Sequence, residues 1–452
     1  MSNINLSDKL YAAKQDNTDV KSEYSHIKPI HLLEIIVLSS FVCTMIVMMM
    51  NVVDYTNDHL FYIFEKNHYI FLFVILFVSI IRSIMFHSTF FKGMFGDGAT
   101  NTIRFFHNTY DLNRTKKAIK AELMKKPSIL NGFKRIFTTI LTIGAGGSGG
   151  LEGPAIPIGE SFGRGFAKYF KVNSVERFRI FQMCGIAAAI STLLHAPLTG
   201  CIFACELVFA GHFIYQFLIF GMIASLTSFI LSNHVLNTHG LLLINVSHAQ
   251  TYSMFEYLYI VLASCFVSIP SGIGLIFVLK WIRKILSYMS SYLHAPFGAL
   301  MCYIIALYLF NTFHIPPDSI LGVGEEFFQD VYNHTLNSDL NIWYVLALIA
   351  IVKIILTSFT IISGGSAGML IPSIIVGATS TASLYGFLVL YHVIPESESI
   401  YSIFIISGIA SSLICVMDLP IATIIFITES FGRPYLPIAI VSVIISKYLS
   451  SK

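Results

Sequence analysis

Hydrophobic residues form long runs along this chain, and polar residues are confined to the stretches between them. A helix needs roughly 20 apolar residues to cross a lipid bilayer. Runs that approach or reach this length predict membrane-spanning helices at 32–53, 68–88, 212–232, 255–281, 296–313, 342–362, 374–394 and 401–417. Shorter apolar pieces, broken by Gly and Pro, lie between them. The pattern therefore predicts an all-α membrane protein that crosses the bilayer many times and contains broken or half helices.

Blocks of sequence occur twice in the same order, which indicates an internal duplication. The segment GGSGGLEGPAIPIG at 146–159 aligns without gaps to GGSAGMLIPSIIVG, which starts 218 positions later at 364. Two further pairs of segments align at nearly the same spacing. Residues 185–206 align with 408–429, and the shorter segment 96–98 aligns with 322–324. The chain is predicted to consist of two copies of one unit.

Basic residues indicate how the two copies are oriented. The connector from Asn113 to Arg135 is rich in Lys and Arg, whereas its counterpart from Val331 to Val352 has none. Basic loops stay in the cytoplasm, so equivalent loops are expected on opposite sides and the repeats have inverted topology. The expected division is a cytoplasmic polar segment at 1–29, a first transmembrane repeat at 30–235, an extracytoplasmic linker at 236–254 and a second, inverted repeat at 255–452, with both termini cytoplasmic.

Composition excludes several other classes of protein. Only 12% of residues are charged against 55% hydrophobic, and a net charge of +3 without interleaved aromatic and basic residues argues against nucleic acid. The histidines are scattered, with no metal-ligand pair at helical spacing, so neither a metal, a cofactor nor an enzymatic activity is expected. A dinucleotide-type match at Gly144-x-Gly146-x-x-Gly149 is weak by itself and is absent from the second copy.

The Gly-rich segments predict helices that begin inside the membrane. Glycines let the backbone approach closely, and Pro154 and Pro372 fit the first turn of a helix, where a missing N–H costs nothing. A helix N-terminus carries roughly half a positive charge and several unpaired N–H donors, which suits an anion. In inverted repeats two such ends can face one small anion near the bilayer midplane.

With these motifs the chain resembles the chloride channel and transporter family called CLC. Gly150-Leu151-Glu152-Gly153-Pro154 looks like the family's glutamate-containing anion motif, and Gly368-Met369-Leu370-Ile371-Pro372 is similar to its second-half motif. The resemblance implies that Glu152 is a gate, whose carboxylate occupies an anion site when ionised and swings away when protonated or displaced. It also implies that the anion binds mainly to backbone amides, at Leu151, Gly153, Met369, Leu370 and Ile371.

Three features depart from the family pattern. Asp97 stands where the family usually has an anion-binding serine, and it could either line the pore or cap its own helix. Leu207 stands where proton-coupled relatives have an inner proton-accepting glutamate, one residue after Glu206. The family's anion-contacting tyrosine lies in a final helix for which no counterpart is expected before Lys452.

The resemblance implies anion conduction, with chloride as the expected ion and the lipid bilayer as the surroundings. The absence of a glutamate at Leu207 favours channel-like or weakly proton-coupled conduction. Proton-coupled antiport of chloride or another anion is the alternative, because Glu152 is compatible with both. Relatives pair through segments that match 190–232 and 417–449, so a homodimer is expected, and the compact form suggests a bacterial inner membrane.

Overall fold

A computed structural model of the protein describes residues 29–109, 128–172, 174–209, 215–236, 254–333 and 342–450. These residues form seventeen α-helices and no β-strand. Most of three regions named above lies outside the described residues: the polar segment before Pro29, the basic connector between 110 and 127, and the linker between 237 and 253.

The helices follow the same order in both repeats. The first repeat contains α1 (Pro29–Lys66), α2 (His68–His87), α3 (Ala99–Thr109), α4 (Ile129–Ile143), α5 (Glu152–Tyr169), α6 (Val175–Leu194), α7 (Pro197–Phe209) and α8 (Tyr215–Ile230). The second contains α9 (Met254–Leu286), α10 (His294–Phe313), α11 (Pro317–Ile320), α12 (Glu325–Asn333), α13 (Trp343–Ile362), α14 (Leu370–Leu390), α15 (Glu398–Met417), α16 (Pro420–Ser430) and α17 (Leu436–Ser450). Apart from the one-turn α11, each helix has a counterpart in the other repeat.

Length and hydropathy identify the chain as an integral, multi-pass membrane protein. Within the described ranges, nine helical segments are long and apolar enough to cross a membrane. Helix α5 is not among them, since it carries Glu152, Glu160, Arg164 and Lys168, and most of its residues are buried by neighbouring helices. The predicted fold class, an all-α membrane protein with inverted repeats and broken helices, is confirmed.

Equivalent turns have the same backbone conformation in the two repeats. The glycine pairs Gly96 and Gly322, Gly98 and Gly324, and Gly146 and Gly364 all have φ between 58° and 86°. Glycine adopts this left-handed region without the steric cost that a Cβ imposes. The alignment of the repeats therefore holds in three dimensions, including the short glycine pair that precedes α3 and α12.

The two helix breaks hydrogen-bond to each other across a local two-fold axis. Gly150 and Gly368 exchange two backbone bonds, of 3.0 and 2.7 Å, as a single antiparallel bridge. An exchange between equivalent residues is what a two-fold axis between the repeats produces. Threonine hydroxyls of the preceding helices show the same two-fold relation. The Ser148 amide donates to Thr360 Oγ1 and the Ser366 amide donates to Thr142 Oγ1, each at 3.0 Å.

Two glutamates exchange helix caps between the repeats. Glu206, on α7, accepts hydrogen bonds from two backbone amides in the first turn of α16, at 3.1 and 2.7 Å. Glu429, on α16, accepts from two amides in the first turn of α7, at 2.8 Å each, and from the Thr199 hydroxyl at 2.7 Å. Pro197 and Pro420 begin those helices. Each carboxylate therefore neutralises the positive end of the helix that carries the other.

We expect Glu206→Gln and Glu429→Gln each to destabilise the protein by about 1–2 kcal/mol, because an amide retains only one acceptor oxygen and no charge for the two N–H donors. The measurement is the apparent Tm of purified protein in detergent at one fixed heating rate. Glu398→Gln is the matched control, since Glu398 is exposed in the first turn of α15. Equal Tm values for all three variants and the wild type would contradict the exchanged caps.

Candidate functional site

Helices α5 and α14 begin face to face at equivalent positions, Glu152 and Leu370. The bridge between Gly150 and Gly368 holds the two N-termini together. A Cβ on Gly153 would lie 2.6 Å from the Gly368 Cα, so only glycine permits this approach. The sequence folds this way because both breaks combine glycines with a proline in the first helical turn, as predicted.

Both N-termini present unpaired backbone donors. The first hydrogen bonds in the two helices run from the Ala155 amide to the Leu151 carbonyl and from the Ser373 amide to the Met369 carbonyl, each at 3.0 Å. The amides that precede these have no partner within the helix. The structure thus brings together the five residues predicted to bind an anion: Leu151 and Gly153 on one side, and Met369, Leu370 and Ile371 on the other.

The Glu152 side chain lies between the two N-termini and is only 1% exposed. The backbone amides of Glu152 itself and of Ile371 lie near its carboxylate, but neither oxygen accepts a well-formed hydrogen bond. A Cβ on Gly368 would lie 3.3 Å from Oε2, so the glycine leaves room for the carboxylate. The carboxylate therefore stands at the positive end of the facing half helix and is not locked by hydrogen bonds.

Asp97 packs against the residue that follows Glu152. A Cβ on Gly153 would meet the Asp97 Oδ1 at 2.5 Å. Helix α3 begins at Ala99, two residues after Asp97, and the amides of Ala99 and Thr100 lie close to the carboxylate. Asp97 thus lies beside the candidate pore and at the start of its own helix at the same time, so the two roles considered for it are compatible in space.

A basic residue holds the loop before α3, and an equivalent residue holds the loop before α12. Arg135, on α4, donates to the carbonyls of Phe95, at 3.2 Å, and of Gly96. The Lys353 ammonium, at the same position of α13, lies 3.3 to 3.5 Å from four consecutive carbonyl oxygens, from Ile320 to Val323, and shares its three N–H donors among them. Sequence reasoning assigned no role to this pair. The signal was a basic residue at the same aligned position of both helices.

Glu325 is a second acidic residue near Glu152, and sequence reasoning missed it. It is the first residue of α12, and its carboxylate lies within electrostatic range of Glu152 and Asp54. One of its oxygens is buried without a hydrogen bond. The signal available in the sequence was its place directly after the repeated glycine pair. Glu152 thus has an acidic neighbour from each repeat, since Asp97 precedes α3 and Glu325 begins α12.

Leu207 lies buried on α7, beside Glu206, and Glu206 is already bound to the amides of α16. The side chain at Leu207 cannot carry a proton. Within the described ranges, no group of three or more His, Cys, Asp or Glu residues could hold a metal ion.

The fold and the site define a multi-pass membrane protein in which two inverted half helices meet around a buried glutamate. Residues 102–451 match the family model described as voltage gated chloride channel. An uncharacterized protein of Methanocaldococcus jannaschii is 27% identical over 327 residues, which cover 71% of this chain and 74% of that protein. The chloride/fluoride channel protein of Pseudomonas syringae pv. tomato is 23% identical over 351 residues, covering 75% and 69%.

Solved structures share the fold at low sequence identity. A CLC-type fluoride/proton antiporter superimposes with a TM-score of 0.71 at 18% identity, covering 93% of this chain and 95% of that one. A slow cyanobacterial Cl⁻/H⁺ antiporter gives 0.74 at 16% identity, covering 94% and 95%. The chain belongs to the voltage gated chloride channel family.

We expect Asp97→Ser to change stability by about 1 kcal/mol or less and to leave chloride affinity nearly unchanged. Serine also caps helices, and the amides of α3 together with Arg135 offset the carboxylate charge in the wild type. Chloride affinity is measured by calorimetry at neutral pH. Asp97→Asn, which keeps the shape and removes the charge, is the control. A large gain in affinity in both variants would show that the carboxylate lies in the ion path and opposes chloride.

Proposed function

We propose that this protein conducts chloride and similar small anions across the membrane through a pore gated by Glu152. The observation that carries the proposal is the buried Glu152 carboxylate, which lies between the N-termini of α5 and α14 without a well-formed hydrogen bond. An ionisable group at membrane depth marks a functional site by default, because its burial is otherwise costly.

The gate follows from competition for the same amides. An ionised Glu152 satisfies the half-helix N-termini in place of the permeant anion, so it closes the pore. Protonation removes that charge, and a high anion concentration displaces the carboxylate by mass action. Leu151 and Gly153 on one side, and Met369, Leu370 and Ile371 on the other, then contribute backbone donors to the anion.

The conduction is channel-like or weakly coupled to protons. Support comes from Leu207, which offers no inner proton acceptor. Proton-coupled antiport of chloride or another anion is the second candidate, and it is favoured by Asp97 and Glu325, the carboxylates near Glu152. Relatives with similar sequences or folds include a chloride/fluoride channel protein and two proton antiporters.

We assign the protein to a bacterial inner membrane with both termini in the cytoplasm. Exposed Lys280, Arg283 and Lys284 at the end of α9 fit the cytoplasmic side, where basic residues accumulate.

Purified protein in liposomes with a chloride gradient should give a reversal potential near the chloride equilibrium potential, and an added pH gradient should shift that potential little. Anion flux should rise as pH falls, because protonated Glu152 no longer competes for the amides. At every pH, Glu152→Gln should give the high flux that the wild type shows at low pH. These flux and potential measurements test conduction, coupling and the gate separately.

Glu160→Gln is the matched control for the gate, because Glu160 is a buried glutamate of the same helix that pairs with Arg164 at 3.3 Å. Absence of any electrogenic anion flux in the wild type would refute conduction. A wild-type pH profile retained in Glu152→Gln would refute the gate. A reversal potential that follows the pH gradient in a fixed ratio would replace the channel-like function with the antiporter.

We also propose a homodimer formed by α7, α8, α16 and α17. These helices expose a set of large apolar side chains that a second copy would cover: Leu198, Ile219, Leu226, Ile230, Ile421, Ile440 and Ile444. These helices lie largely within the segments 190–232 and 417–449, to which the family resemblance assigns a dimer interface.

A bifunctional maleimide should crosslink Leu226→Cys into dimers in mild detergent, because α8 lies in the proposed interface. The seven native cysteines lie buried and should not react. Phe77→Cys is the control, since Phe77 is equally apolar and 56% exposed but lies on α2, outside that interface. Monomers only for Leu226→Cys, or dimers for both variants, would contradict the assignment.

A further inference from the structure

Arg82 is a buried cation in the membrane-spanning helix α2. It is 6% exposed, although the helix around it is apolar enough to cross the membrane. Its one hydrogen bond runs from a terminal guanidinium nitrogen to the Ser363 hydroxyl at 3.4 Å, which is long for such a bond. Its Nε is buried without a partner. The charge of Arg82 is therefore poorly compensated by the protein.

Buried basic residues elsewhere in the described part of the chain have carbonyl or carboxylate partners, although the Nε atoms of Arg135 and Arg164 are also unpaired. Arg135 donates to two loop carbonyls, and the Lys353 ammonium shares its three N–H donors among four carbonyls. Arg164 forms an ion pair with Glu160 at 3.3 Å. Among the described residues, no carboxylate forms an ion pair with Arg82. Arg82 differs from these residues because it has neither a carbonyl nor a carboxylate partner, and a buried charge without such a partner is costly.

A cavity of about 30 Å³ lies beside Arg82. It lies between α2, α10, the ends of α4 and α13, and the first helix break, and its lining includes Thr142, Gly146, Cys302, Thr360 and Ser363. A cavity holds a water molecule once it exceeds roughly 10–15 Å³, so there is room for a small occupant.

Arg82 supplies an unpaired, positively charged donor to this cavity. The hydroxyls of Thr142, Thr360 and Ser363 already donate to backbone carbonyls of their own helices, at 2.8 to 3.2 Å. The Nε–H has no acceptor. An occupant must therefore accept hydrogen bonds, and a negative charge on it would offset the guanidinium.

We infer that this cavity binds one halide-sized monovalent anion through Arg82, at a site separate from the pore. Its lining contains neither Glu152 nor the first residues of α5 and α14. It does contain Gly146 and Gly147 of the first break and Thr142 and Thr360, whose hydroxyls join the two repeats. The anion neutralises Arg82 next to the hydrogen bonds by which Thr142 and Thr360 join the two repeats. It thereby stabilises that junction.

The site is tested with crystals of the full chain grown in bromide, which is located by its anomalous scattering. A bromide peak is expected within hydrogen-bond distance of the Arg82 guanidinium. The peak should vanish in Arg82→Gln and persist in Arg82→Lys, which keeps the charge. Bromide at the N-termini of α5 and α14 should be the same in all three proteins, which shows that the variants are folded.

A second measurement needs no crystals. The Tm of the wild type should be higher in sodium chloride than in sodium gluconate, whose anion is too large for the cavity. Arg82→Gln should lose part of that difference and Arg82→Lys should retain it. A cavity that holds only water while bromide occupies the pore would overturn the proposal. So would a bromide peak, or a chloride-dependent gain in Tm, that is unchanged in Arg82→Gln.

Discussion

Unpaired backbone groups inside the membrane are the constraint on which the rest of this structure depends. Lipid offers no hydrogen bonds, so a break in a spanning helix is tolerated only where protein or a polar cavity satisfies the exposed amides and carbonyls. Here the breaks after α4 and α13 supply hydrogen-bond partners to each other's backbone groups. Gly150 and Gly368 pair directly, and the adjacent amides of Ser148 and Ser366 bind threonine hydroxyls of the opposite repeat. The requirement can be met in this way only when the two breaks meet.

Buried charges follow the same rule, with exceptions that mark function. Glu206 and Glu429 bind helix N-termini, whereas Arg135 and Lys353 bind loop carbonyls, so these four charges stabilise equivalent turns of the two repeats. Glu152 and Arg82 are different, because among the described residues neither has an ion pair, a cap or a carbonyl partner, and both carry buried polar atoms without a hydrogen bond. One is a carboxyl group between two helix N-termini and the other a guanidinium group beside a cavity. Both arrangements suit a protein whose ligand is a small anion that comes and goes.

The departures from the family pattern are explained by neighbouring groups rather than by the residues themselves. Asp97 replaces the family's serine with a charged group, and this group lies against the amides that begin α3 and near Arg135. Leu207 adjoins a glutamate that is committed to a cap. Glu325 places a carboxylate near Glu152 at the start of the helix that corresponds to α3. The acidic groups around Glu152 are thus arranged differently from the pattern that the resemblance implied.

The sequence by itself determined the fold class, the duplication, both helix breaks and the place of Glu152 at the first break. Each of these depends on local signals: hydropathy over one helix length, the conformational freedom of glycine, and proline in a first turn. Only the tertiary structure decided which groups face one another across the repeats. The Glu206 and Glu429 caps join residues more than 200 positions apart, and so does the contact from Arg82 to Ser363. Nothing in the local sequence distinguishes a buried arginine with a carbonyl partner from one beside a cavity, because the difference lies in the helices packed around it.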